Sequence, residues 1–129
     1  MSAKKTAKVK SELELWLAEE LRDLWLDGQL KRLYDVRDGY REDDGSWWPI
    51  YPGRMWRPDF CWIEERLVVE IEGGSWSGGR HTRGQGFEDD CHKYNTLTLA
   101  GWMVLRFTSA MLFDGTAGAM ILMALAKEE

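Results

Sequence analysis

Asp59, Glu70 and Glu72 stand in two short apolar segments, Arg57-Pro-Asp-Phe-Cys-Trp62 and Leu67-Val-Val-Glu-Ile-Glu72, joined by the turn-like Ile63-Glu-Glu-Arg66. Side chains alternate faces along a strand, so Glu70 and Glu72 point one way while Val69 and Ile71 point the other. Like charges this close repel, and a cation or a proton is needed to relieve them. A divalent metal ion is therefore expected, and hydrolysis of a phosphodiester is the chemistry it would serve. That reaction needs a nucleophilic water, neutralised phosphoryl charge and help for the leaving oxygen, which one or two Mg²⁺ ions supply. Mg²⁺ takes carboxylate, backbone carbonyl and water oxygens. Asp59, Glu70 and the carbonyl of Ile71 form such a set if the two strands pair, with Glu72 as a further ligand or as the group that orients water.

The elements that must position these groups follow from periodicity. From Ser11, Leu13, Leu17, Leu21 and Leu24 keep helical spacing, Ser11 with Glu14 fits a capping box, and Gly28 offers a stop. Residues 34–54 lack a clear period and read as a loop with at most one short strand. After the hairpin, the segment 73–86 holds six glycines and reads as irregular. A helix is predicted from about Phe87 to Ala100 with Gly101 as its stop, then a buried strand Trp102–Phe107, then an apolar helix over about Ala117–Ala126. Helix, hairpin, helix, strand and helix in that order predict an α/β fold around a small mixed sheet.

At 129 residues and 44% hydrophobic content the chain is long enough for one real core. Residues 1–10, with four lysines, read as a flexible basic arm, and 11–129 as a single domain. The formal net charge is −5, whereas nucleic-acid binders tend to be basic. Bound metal ions among the acids offset that objection locally. No apolar run is long enough to span a bilayer and the first ten residues lack a signal peptide's apolar stretch, so a soluble cytoplasmic protein is expected. Cys61 and Cys91 make no disulfide framework, and with His81 and His92 they fit no short zinc spacing.

Pro58-Asp59, ten residues, then Glu70-Ile71-Glu72 resembles the signature of the PD-(D/E)xK nuclease superfamily. The resemblance continues through Arg57–Phe60, Leu67–Gly73, His81, Asp90 to Lys93 and Gly101–Phe107, over about residues 11–113. The ordered set is similar to the branch of small bacterial and phage endonucleases related to very-short-patch-repair enzymes. It implies a restriction-endonuclease-like αβββαβ core and a metal-dependent DNA endonuclease, with Asp59 and Glu70 binding Mg²⁺, or Mn²⁺ in its place. Phage or prophage DNA processing, repair and junction cleavage are the settings it implies, in the cytoplasm of a bacterium or an infected host. The signature's lysine is Glu72 in this chain. In that superfamily the lysine's role can migrate, and Lys93 is the replacement the resemblance implies. It also makes His81 a general acid or base and places Glu14 as a first-helix contributor.

Each assignment has a plainer rival. Asp59 has Arg57 close by for an ion pair, and Glu70 with Glu72 can be a solvated strand face. Glu14 also fits the capping box, Lys93 stands four residues after Asp89 as in a helical ion pair, and His81 lies in a glycine-rich loop. That loop has no P-loop spacing and no lysine, but Trp76, Arg80, His81 and Arg83 suit a DNA backbone, with Trp76 stacking on a base. Most tryptophans, Trp16, Trp25 and Trp102 among them, are expected to serve packing, and Trp47-Trp48 to form a surface patch. A homodimer would serve cutting of both strands. A nuclease fold that binds DNA without catalysis is the alternative, because the lysine is missing and the charge is negative.

Overall fold

The computed structural model describes residues 11–35, 39–41, 47–49, 58–72 and 85–126, with Trp47–Pro49 and Gly39–Arg41 described in their backbone only. The first helix, α1 (Glu12–Leu26), begins at Ser11, whose Oγ accepts the Glu14 N–H at 3.2 Å while Glu14 Oε1 accepts the Ser11 N–H at 2.8 Å. This reciprocal pair satisfies two amide donors that the first helical turn leaves without partners. Leu17 and Leu21 of α1 are fully buried, with Leu13 and Leu24 packed beside them. Gly28, at φ +87°, follows the end of the helix, where a left-handed residue is cheapest as glycine.

Two short strands, β1 (Gly39–Arg41) and β2 (Trp47–Pro49), pair antiparallel, with Tyr40 opposite Trp48. The sequence pattern predicts one strand at most in this stretch, and three-residue strands are too short to show a period. The main sheet has the order β3-β4-β5, where β3 is Phe60–Trp62, β4 is Leu67–Ile71 and β5 is Met103–Phe107. Strands β3 and β4 are antiparallel with Phe60 opposite Val69, and β4 and β5 are parallel with Glu70 beside Arg106. An isolated antiparallel bridge, Asp35 to Cys61, continues the sheet beyond β3. The chain is thus α/β with a small mixed sheet, as the pattern predicts.

The predicted hairpin turn is present. Arg66 holds φ 59°, its N–H bonds to the Ile63 carbonyl at 3.1 Å, and its carbonyl accepts the Met103 N–H at 2.8 Å. Its guanidinium lies 5.1 Å from the centre of the Trp102 ring. These contacts offset the strain of a non-glycine residue in that conformation.

Helix α2 (Gln85–Leu99) connects the parallel strands, and two helices follow β5: α3 (Ser109–Phe113) and α4 (Thr116–Ala126). A parallel pair requires such a crossover, because a tight turn cannot reverse the chain twice. The short α3 is absent from the pattern-based reading. Thr108 caps it, and Gly115, at φ +87°, separates it from α4.

Alternation along the strands divides the core in two. Phe60, Trp62, Leu67, Val69 and Phe107 form one apolar cluster with Leu17, Leu21, Leu30, Leu112, Ala117 and Ile121. Cys61, Val68, Leu97 and Trp102 form another, with Tyr94 and Val104 against it. The sheet therefore carries α1, α3 and α4 on one face and α2 on the other. Trp16 and Trp25 do not enter the core: they are 38% and 42% exposed, and Trp16 meets Phe113 edge to face at 5.3 Å. Among the described residues the fully buried tryptophan is Trp62, whose indole N–H donates to the Arg32 carbonyl at 2.9 Å. No helix among the described residues is long and apolar enough to cross a membrane.

Helices α1 and α4 approach closely where Glu20 faces Gly118, since a Cβ on Gly118 would stand 2.5 Å from Glu20 Oε2. Glu20 Oε1 is covered and has no hydrogen-bond partner among the described residues. Burial, and after it the charge of Asp23, raises the Glu20 carboxyl above the usual glutamate range. A raised folded value favours the neutral acid, so its benefit is complete below the ordinary glutamate pKa of about 4.3 and is lost as pH rises through the folded value. Glu20→Gln should therefore raise Tm at pH 7, and the gain should shrink towards pH 4 in thermal melts followed by circular dichroism. An equal or lower Tm at pH 7 would contradict this account.

Candidate active site

The site stands at the end of the β3–β4 ladder away from the turn. Glu70 is the fourth residue of the central strand and only 6% exposed, because β4 is flanked by a strand on each side and by a helix layer on each face. Asp59 immediately precedes β3 and, by the register of Phe60 with Val69, falls opposite Glu70. Its Oδ2 accepts the Ile71 N–H at 2.8 Å. By the register the next partner of Ile71 is Pro58, which has no N–H to give to the ladder, and the Asp59 side chain accepts the Ile71 N–H instead, so β3 begins at Phe60 rather than at the predicted Arg57. Within one strand residue the N–H and C=O point to the same neighbour, so the Ile71 carbonyl also lies on the Asp59 side.

Glu72 follows β4, with its N–H on the Phe107 carbonyl at 2.8 Å. Its Oε2 accepts the Tyr94 hydroxyl at 2.6 Å and the Arg106 Nε at 3.0 Å. Arg106 stacks on the same tyrosine, with Cζ 4.1 Å from the ring centre. Burial and the Glu72 bond, with Glu70 adding its charge, push the Tyr94 phenol well above its ordinary value, and Arg106 acts weakly against them. Burial works against the Arg106 guanidinium, but the bond to Glu72 and the charges of Tyr94, Glu72 and Asp90 outweigh it and raise the group further. Tyr94 is therefore a neutral donor and Arg106 a fixed cation at every working pH.

The two remaining sequence candidates among the described residues fall at different distances from this cluster. Lys93 places its Nζ 5.3 Å from the Tyr94 ring centre, so it borders the cluster through that ring. Glu14, 5% exposed, lies on α1, and its Oε1 is in the capping box with Ser11. The helix α1 packs on the face of the sheet opposite to Tyr94 and Val68. His81, Trp76, Arg80 and Arg83 lie outside the described residues, as do residues 1–10 and the side chains of Trp47 and Trp48.

The donor chemistry fits a hard cation: Asp59 and Glu70 face each other across the ladder, and the Ile71 carbonyl points to the same side. Among the described residues, no group of three His, Cys, Asp or Glu side chains is assembled closely enough to hold a metal ion. Two carboxylates and a carbonyl, completed by water, are a normal protein share for Mg²⁺. A cleft of about 420 Å³ lined by Leu30, Arg32, Trp62, Glu65, Leu122 and Leu125 opens at the turn end of the hairpin and is separate from these acids. Comparison with family models, curated proteins and solved structures finds no match.

Sequence reasoning missed Tyr94 and Arg106 as site residues. Arg106 carried a signal, a single charge in the apolar run Met103–Phe107, but only the strand register sets it beside Glu70. Tyr94 carries no such signal, because helical spacing sets it in line with the apolar Cys91 and Leu97.

Tyr94→Phe removes one donor from Glu72 and should lower stability by about 1–2 kcal/mol, because hydrogen bonds to charged groups carry more than neutral ones. Urea unfolding at pH 7 checks this. In ultraviolet titration, the same variant should lose no phenolate signal below pH 11, since the wild-type Tyr94 does not ionise there.

Proposed function

We propose that this chain is a metal-dependent endonuclease that hydrolyses DNA phosphodiester bonds. The observation that supports the reading best is the placement of Asp59 opposite Glu70 at the end of a central strand, with the Ile71 carbonyl on the same side. The α/β arrangement is compatible with the restriction-endonuclease-like core that the sequence resembles, with the bridge at Asp35 standing where a further strand would pair with β3.

In this reading Asp59 and Glu70, with the Ile71 carbonyl, hold Mg²⁺ or Mn²⁺, and Glu72 is an auxiliary acid. The metal ion supplies a bound water of lowered pKa and neutralises phosphoryl charge. The protein's own part is positional. The Ile71 N–H fixes the Asp59 carboxylate, the strand pairing fixes Glu70, and the helix-borne Tyr94 fixes Glu72. Lys93 and His81 are second-tier groups for proton transfer and phosphate charge, and Glu14 is a more distant acid from α1. Trp76, Arg80 and Arg83 are assigned to the DNA backbone. A second copy of the chain would bring a second site to the other strand.

The other reading, a nuclease-fold module that binds DNA without cutting it, is favoured by Glu72 in the lysine position. Nicking of supercoiled plasmid in Mg²⁺ or Mn²⁺ separates the two. Wild type should convert plasmid to nicked or linear form, and Asp59→Ala and Glu70→Ala should each slow this about 100-fold or more, the loss expected when several kcal/mol of metal-derived stabilisation is removed. Tight binding without cleavage on linear, nicked, branched and single-stranded DNA would support the binding module instead. Variants that cut as well as wild type would defeat the assignment of Asp59 and Glu70.

A further inference from the structure

We propose that Arg106 is the phosphate-contacting cation of this site, with Glu72 and Tyr94 as the residues that position it. The inference rests on the nucleic-acid reading above and goes beyond it by naming the group that does the missing lysine's work, from a different strand.

Register supplies the first argument. Arg106 of β5 lies directly beside Glu70 of β4 in the parallel ladder, on the same face of the sheet. That pairing starts the arginine side chain beside the acid, and its guanidinium reaches Glu72 and the Tyr94 ring. Glu72 adds a second argument. A carboxylate in the position where the superfamily signature carries a lysine would repel a phosphate if left alone, but here its Oε2 accepts the Arg106 Nε at 3.0 Å. The ion pair offsets the charge of Glu72 and keeps the guanidinium oriented, leaving Asp59 and Glu70 to the metal ion of the proposed reading.

The geometry of that orientation completes the case. A guanidinium has five N–H donors in a planar fork. The bond to Glu72 uses the Nε, and the ring of Tyr94 supports one plane at 4.1 Å. The Nη edge is the part suited to paired contact with two phosphate oxygens. The side chain is 48% exposed, and Tyr94, on α2, covers one side of it. The same cation carries the low cost of an already ordered rotamer, since two partners fix it before any substrate binds. A bare surface ion pair would give little stability and no reason for the tyrosine to span both groups.

The test uses the full chain and a short fluorescent DNA duplex in Ca²⁺, with anisotropy titrations across a range of salt concentrations. A phosphate contact contributes a slope of about 0.9 in log K against log salt. Arg106→Gln should lower the slope by about that amount, and Arg106→Lys should restore most of it. In plasmid nicking with Mg²⁺, Arg106→Gln should cut kcat about 100-fold, the scale for losing one oriented donor at developing negative charge. Arg106→Lys should recover only part of that, because an ammonium cannot keep both the Glu72 bond and the flat stacking. Calorimetric Mn²⁺ affinity should be the same in all three proteins.

An unchanged salt slope in Arg106→Gln overturns the proposal even if wild type cleaves DNA. A reduced slope in a wild-type protein that binds but never cuts keeps Arg106 as the phosphate contact and removes the nuclease reading. Failure of wild type to bind DNA at all removes both. Equal loss of Mn²⁺ affinity and cleavage in Arg106→Gln would also overturn it, since the residue would then be supporting the metal ligands.

Discussion

Moving a carboxylate out of water costs several kcal/mol unless neighbouring groups compensate, and Glu70 is 6% exposed in the middle of the sheet. Much of the site can be understood as an answer to that cost. Apolar residues at 67, 68 and 69 bury β4 on both faces and so carry the chain's next residue inward with them. The parallel register then sets Arg106 beside Glu70, and the crossover helix that makes a parallel register possible carries Tyr94 over the same face. Charge, topology and packing are linked through one strand.

The parts that were legible in the sequence are those governed by short-range periodicity. Helix α1, with its capping box and its Leu17 and Leu21 stripe, could be read because a 3.6-residue period extends over four turns. The alternation that separates Glu70 from Val69 and Ile71 could be read for the same reason. What failed is shorter than a period or needs a partner. The strands β1 and β2 are three residues each, and α3 is five. Strand β3 begins only at Phe60, because Pro58 cannot donate to the ladder and the Asp59 side chain takes the Ile71 N–H, a pairing that depends on the register with β4.

The site shows the same division. Asp59 and Glu70 could be proposed because spacing plus alternation already brings them towards each other when a hairpin forms. Arg106 and Tyr94 lie 34 and 22 residues from Glu72, and their meeting depends on how β5 is registered against β4 and how α2 is rotated. A lysine two residues after Glu70 would have been visible from sequence alone. A cation on a neighbouring strand, as Arg106 is, becomes visible only through pairing.

This placement also bears on the net charge of −5, which argues against a nucleic-acid partner if charges are simply summed. Screening limits exposed charges to a range of about 8–10 Å at physiological salt, so distant acids weigh little on a phosphate at the site. In the proposed reading the local arrangement matters more than the sum: Glu72 is matched by Arg106, Asp59 and Glu70 are matched by the metal ion, and Lys93 stands 5.3 Å from the Tyr94 ring. The Tyr94 hydroxyl remains a donor to Glu72 because burial and the adjacent acids oppose its ionisation, and the Arg106 guanidinium lies over the same ring. An ammonium has no plane to lay over a ring and a single centre of charge, which is the physical reason the contacts with Tyr94 and Glu72 suit an arginine rather than a lysine.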